Sequence, residues 1–254
     1  MKFKKLLTVL GCFALVLMCA FTVVGCGEVE ATADEINAYF AQEGVDTSFD
    51  GLHFEGNVDY KDAETFGKGY AKFSGEVVTT EEDGLIGKIY VEFSVEDADS
   101  GMTSGLKTTY YLKDNKLYNE KTKKAFAIYE ADMMTPMMFS MVNGLANDAA
   151  DAVLGALSYG SSEGAELTLQ KKGDVEKGNI TFIATATKDS NKEYALIRFE
   201  ENKAVELVAE MNEDGNHSKI TIRKYDGKVN LPNNLNEYTD NSGSSITPPS
   251  SVLG

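Results

Sequence analysis

The stretch "GKIYVEFSV", Gly87 to Val95, decides the fold, because its apolar residues recur with a period of two. Ile89, Val91, Phe93 and Val95 fall on one side and Tyr90, Glu92 and Ser94 on the other. A strand with one greasy and one polar face is half-buried and belongs to an antiparallel sheet. Segments of the same kind recur at Leu52 to Tyr60, Gly69 to Thr79, Leu106 to Leu112, Lys116 to Asn119 and Lys124 to Glu130. The separators "TEEDG" and "KDN" are short and polar and suit hairpin turns. A second set of strands is expected at Ala165 to Lys171, Asn179 to Thr187, Glu193 to Glu200, Ala204 to Met211 and Ser218 to Tyr225.

Two helices interrupt this pattern. Thr32 and Glu35 form a capping box, Ile36, Tyr39 and Phe40 share one helical face, and Gly44 supplies the stop. Between the two sets of strands, Thr135 and Pro136 make an N-cap and first helical position, which predicts one helix from Pro136 to about Leu157. At helical spacing Met137, Met138, Met141, Val142, Leu145, Ala149, Ala152, Val153 and Ala156 span an arc of about 160°. Ser140, Asn143, Asn147 and Asp151 lie opposite. The expected class is α+β: a long antiparallel sheet covered by an N-terminal helix and an inserted amphipathic helix.

The N-terminus sets the chemistry open to the rest. Lys2, Lys4 and Lys5 precede an uncharged apolar run from Leu6 to Val24, the arrangement of a secretory signal. The run ends in "VVGCG", in which Val23, Val24, Gly25 and Cys26 match a bacterial lipobox. Cys26 is therefore the expected lipidation site, and acylation there anchors the chain without a spanning helix. The run has 19 residues, so an uncleaved anchor helix is the alternative. The resulting plan is a signal at 1–25, a tether at 26–33, one α+β domain at 34–238 and a disordered Ser/Pro tail at 239–254. The expected location is the extracytoplasmic face of a membrane.

Cleavage before Cys26 leaves no cysteine except the acylated Cys26, since Cys12 and Cys19 lie in the signal. Disulfides, thiolate metal sites and cysteine nucleophiles are then excluded. Histidine is confined to His53 and His217. The chain carries 24 Lys and Arg against 40 Asp and Glu, and the signal removes three lysines and no acid, leaving a net charge of −19. Such acidity disfavours nucleic acid and strong attraction to anionic headgroups.

No catalytic residue, cofactor or metal is implied. "GSSEG", Gly160 to Gly164, has the G-x-S-x-G pattern, but the order helix, loop, strand is the reverse of a nucleophile elbow. Ser104 and Lys107 match S-x-x-K without its companion motifs. "EDADSG" and "KDSNKE" lack the alternating oxygen ligands and closing Glu of an EF-hand. Asn179 and Asn216 begin sequons that a bacterial lipobox makes irrelevant to ordinary glycosylation.

Five of the nine methionines sit in "DMMTPMMFSMVNGLA", Asp132 to Ala146. Met133, Met134, Met137, Met138, Met141 and Leu145 form the candidate ligand-binding face. Three readings stay open: packed core, a lipophilic cavity whose flexible methionines accept varied apolar partners, and a thioether site for a soft metal such as Cu(I).

The order of signal, short helix, strands, inserted helix and further strands resembles the LolA and LppX superfamily of envelope proteins. The local echoes are "YYLKDNKLYNEKTKKAFAIYE", Tyr110 to Glu130, and "KITIRKYDGKVNLPNNLNEY", Lys219 to Tyr238. The resemblance implies that the sheet is strongly curved into a half-barrel, unclosed and lidded by helices over an apolar cavity, and binding of lipid or of lipoproteins; it carries over no functional residue. A lipid or other apolar ligand held between sheet and helix is the expected partner, with the membrane reached through Cys26 and the protein monomeric. The alternative is a non-enzymatic envelope scaffold with a filled interior.

Overall fold

The computed structural model describes residues 27–61, 68–80, 84–96, 103–128, 142–161 and 164–242. The expected strands are present, with ends moved by a few residues. The first set comprises β2 (Gly51–Tyr60), β3 (Lys68–Thr80), β4 (Gly84–Glu96), β5 (Thr103–Lys113), β6 (Lys116–Asn119) and β7 (Lys124–Ala127). The second comprises β8 (Glu166–Asp174), β9 (Asn179–Lys188), β10 (Asn191–Glu200), β11 (Lys203–Glu213) and β12 (Asn216–Lys224). Each set is an antiparallel meander, and β12 pairs with β2 to fuse them. Short strands finish the edges, β1 (Val29–Glu30) on β8 and β13 (Thr239–Asp240) parallel to β7. The result is one curved sheet of 13 strands whose edges do not meet. The α+β class expected from the alternation, and the half-barrel that the resemblance implies, are observed.

Register explains the inner face. Ile89 pairs with Gly75 and Tyr110, and Val91 pairs with Phe73 and Thr108, so the period-two residues of β3, β4 and β5 line up on the inner face. Ile89 and Val91 are buried, as the alternation of Gly87 to Val95 requires. Two-residue hairpin loops fix the register of β5 with β6, β10 with β11 and β11 with β12: Asp114 and Asn115, Glu201 and Asn202, and Asp214 and Gly215 all have positive φ, the pairing that type I′ turns need.

Helix α1 (Ala33–Phe40) starts at the expected capping box, with Glu35 N–H donating to Thr32 Oγ1 at 3.2 Å and Thr32 N–H to Glu35 Oε2 at 2.9 Å. Its buried face rests on β9 and β10, where the Tyr39 ring lies 5.1 Å from those of both Phe182 and Phe199. The Tyr39 hydroxyl donates to Asn202 Oδ1 at 3.0 Å, so a large buried aromatic keeps its polar tip satisfied.

The inserted helix differs from the expectation of one rod from Pro136 to Leu157. Residues 142–147 are helical, the helix breaks at Asp148, and α2 (Ala150–Gly160) resumes and runs past Leu157. The break has a tertiary cause. Asp148 Oδ1 accepts from Ala150 N–H at 3.1 Å and from the Thr47 hydroxyl at 2.9 Å. Ala149 N–H donates to Thr47 O at 2.9 Å, and Phe49 N–H to Ala146 O at 2.9 Å. The loop before β2 thus takes up backbone groups that a continuous helix would bond internally. Helix α2 buries Ala150, Val153, Ala156 and Leu157 and packs against β9 and β10. Asn143, Asn147 and Asp151 are exposed, as their side of the helical wheel implies.

The sheet reaches beyond the expected limits of 34 and 238. Val29 and Glu30 pair with Lys171 and Gln170 inside the supposed tether. At the other end Thr239 and Asp240 pair with Lys124 and Ala125, Lys116 bonds Asp240, and Asn241 N–H donates to Ala125 O at 2.8 Å. Ordered pairing therefore continues into the first residues assigned to the tail. A small second core forms on the outer face, where Tyr111 and Ala125 meet Leu235 and Tyr238 of the C-terminal segment. Strand β7 stops at Ala127 instead of Glu130; residues 129 and 130 lie outside the described residues.

Candidate functional site

The site is a gap between the inner face of the sheet and the helical segments of residues 142–160. Two rows of inner positions cross four strands to make its floor. Ala195 pairs with Ala209, Ala209 with Ile220, and Ile220 with Gly56. One step toward the rim, Glu193 pairs with Met211, Met211 with Ser218, and Ser218 with Val58. Ala209 and Ile220 of the inner row and all four residues of the second row border the site. Leu145, Ala152 and Ala156 face them from the helical side, and together these residues line a mainly apolar cavity of about 250 Å³. Its rim is open, with Met211 41% exposed.

Of the candidate face read from the sequence, Leu145 is half-buried and lines this cavity. Met133, Met134, Met137, Met138 and Met141 lie outside the described residues, as does the lipidation candidate Cys26. Lining residues that sequence reasoning did not assign to a site are Val58, Glu193, Ala209, Met211, Ser218 and Ile220. The signal for them was present in part: each strand's alternation places these positions inward. Which of them meet depends on cross-strand register.

Glu193 is the ionisable side chain that the alternation turns inward at this floor. Burial pushes its carboxyl above the usual range, and the like charge of Glu213 adds to the shift. The lining also includes Glu210 and Lys219, which alternate to the outer face, where Lys219 Nζ sits 3.3 Å from Glu210 Oε2.

The outer face holds the other polar networks. Glu92 accepts from the hydroxyls of Tyr90 and Tyr70 and pairs with Lys107 at 3.2 Å, and these bonds, Tyr90's first, hold its carboxyl down at about 2. His217 lies 3.3 Å from Glu210 Oε1 and 4.0 Å from Asp59 Oδ2. Among the described residues no group of three or more His, Cys, Asp or Glu is arranged to hold a metal ion. Ser104 and Lys107, three apart on β5, point to opposite faces of the sheet and form no dyad. Gly160 closes α2 and β8 follows the Gly160 to Gly164 loop, the helix-to-strand order that the sequence indicated; Ser162 lies outside the described residues. No helix among the described residues is long and apolar enough to cross a membrane.

No family model and no curated protein matches this chain. Among solved structures it is similar to the crystal structure of LprF from Mycobacterium bovis, at 13% identity and a TM-score of 0.43, covering 81% of this chain and 99% of that one. The fold assignment rests on the sheet topology and register described above.

Proposed function

We propose that this protein is a lipid-anchored envelope lipoprotein, held at the extracytoplasmic face of a membrane through Cys26, that binds a small apolar or amphiphilic molecule between sheet and helices. The observation that carries the reading is the cavity of about 250 Å³ between a floor that includes Val58, Ala209, Met211 and Ile220 and the helical residues Leu145, Ala152 and Ala156. A scaffold with a filled interior has no need of such a gap. The volume lies at the lower edge of the roughly 300–1,000 Å³ typical of ligand pockets, which suits a single chain better than a two-chain lipid. The role is one of binding and not of catalysis, in a monomer without cofactor, and nucleic acid is no partner of so acidic a chain.

A fluorescent hydrophobic dye titrated into the purified protein tests this. Wild type is expected to bind it, and Leu145→Asp and Met211→Asp are each expected to weaken binding at least tenfold, because a carboxylate desolvated in an apolar cavity costs more than one hydroxyl or amide would. Met211 is exposed enough at the rim for its variant to fold. Undiminished dye binding by a folded Met211→Asp protein would overturn the assignment of this cavity.

A further inference from the structure

We propose that the ligand of this cavity is an amphiphile with a cationic amine head, held at the rim by Glu193, so that the site selects against fatty acids and other anionic amphiphiles. The inference rests on the cavity being a ligand site and goes further by naming the head group.

Three observations carry it. First, Glu193 continues the inner register of Ala195, Ile197 and Phe199, so its carboxyl enters from the same face as the buried side chains beneath it. Its cross-strand neighbours are Met211 and Ala186, both apolar. Second, no base among the described residues answers it: the electrostatic neighbour acting on its carboxyl is Glu213, another acid. Lys219, the one basic residue among the described lining residues, is engaged outside by Glu210. Third, the carboxyl is raised by burial, which means the folded protein holds an anion where its solvation is incomplete. Elsewhere the sheet neutralises such groups, as Arg198 and Arg223 do for Glu206 at 3.2 and 3.0 Å.

A cation at the rim would relieve the desolvation of Glu193 and its repulsion from Glu213 together, while the attached chain fills the apolar floor. An anionic head would add a third like charge in the same place. The chemistry gives a pH signature: protonating Glu193 removes the counter-charge, so amine affinity falls on acidification.

The test is dye displacement by decylamine, decanol and decanoate, which share one chain and differ in head group, each below its aggregation threshold. The expected order is amine, alcohol, acid, with at least a tenfold gap between amine and acid. Glu193→Gln is expected to reduce that gap to less than threefold. Glu43→Gln, on an exposed turn outside the cavity lining, changes net charge equally and is expected to keep it. Decanol displacement without head-group preference would overturn the amine assignment and leave the ligand site standing. An equal loss of preference in Glu43→Gln would also overturn it, by assigning the effect to bulk charge. Failure of all three probes to displace the dye would overturn both readings.

Discussion

At the scale of single residues, two glycines and one carboxylate show how the sheet is specified. Gly56 faces Phe73 across β2 and β3, and Gly75 faces Phe54 in the same pair of strands. Each ring lies over the partner strand's glycine: a Cβ built on Gly56 would stand 2.3 Å from Phe73 Cζ, and one on Gly75 would stand 2.8 Å from Phe54 Cζ. Gly56→Ala must therefore displace a buried ring, and the expected cost is about 1–3 kcal/mol, read as a lowered urea midpoint with unchanged slope. A midpoint equal to wild type would show that the ring moves freely. Glu92 supplies a pH dependence. Its folded pKa of about 2 lies below its ordinary value of 4.5, so its contribution is fully present above that ordinary value and is lost as pH falls toward 2. Thermal midpoints of wild type and Glu92→Gln should thus differ at neutral pH and converge on acidification; parallel curves would contradict the network.

At the scale of elements, what could be read from sequence follows what is local. Alternation in Gly87 to Val95 and the Thr32 to Glu35 capping box involve neighbours only, and both appear where expected. The break at Asp148 was not legible, because its partner Thr47 lies 101 residues away and nothing near Asp148 announces it. Strands β1 and β13 have two residues each, too few to carry a period. The site divides in the same way. Leu145, Ala152 and Ala156 follow from helical spacing, whereas the meeting of Val58, Glu193, Met211 and Ser218 is set by register across β10, β11, β12 and β2. Because Asp148 Oδ1 accepts from both Ala150 N–H and the Thr47 hydroxyl at the break, Asp148→Ala should lower stability by about 0.5–1.5 kcal/mol, the usual net worth of a hydrogen bond. Asp148→Asn, which keeps the acceptor, should recover most of it in the same denaturation assay. Equal losses in the two variants would point to charge in place of hydrogen bonding.

At the scale of the whole molecule, the two meanders cooperate unequally. The β8 to β11 half is where α1 and α2 pack and where the large buried aromatics Tyr39, Phe182 and Phe199 meet. The cavity sits beside that packed half, where Ala209, Ala152 and Ala156 put small side chains along its walls, so a well-packed core adjoins a space with little to fill it. The chain carries 40 Asp and Glu against 24 Lys and Arg, a balance that repels anionic surfaces. The anchor is tested by mass spectrometry of the protein extracted from membranes: a chain that begins at an acylated Cys26 is expected, and an intact N-terminus with unmodified Cys26 would favour the uncleaved helix.

The central claim is that the space between sheet and helices is occupied by an apolar or amphiphilic molecule in the cell. The most direct measurement is native mass spectrometry of the soluble domain, residues 27–242, purified from its own host's envelope, followed by solvent extraction. The account predicts a mass excess that disappears on extraction, with the released molecule a single-chain amphiphile. A clean apo mass, together with failure to bind a hydrophobic dye, would contradict it.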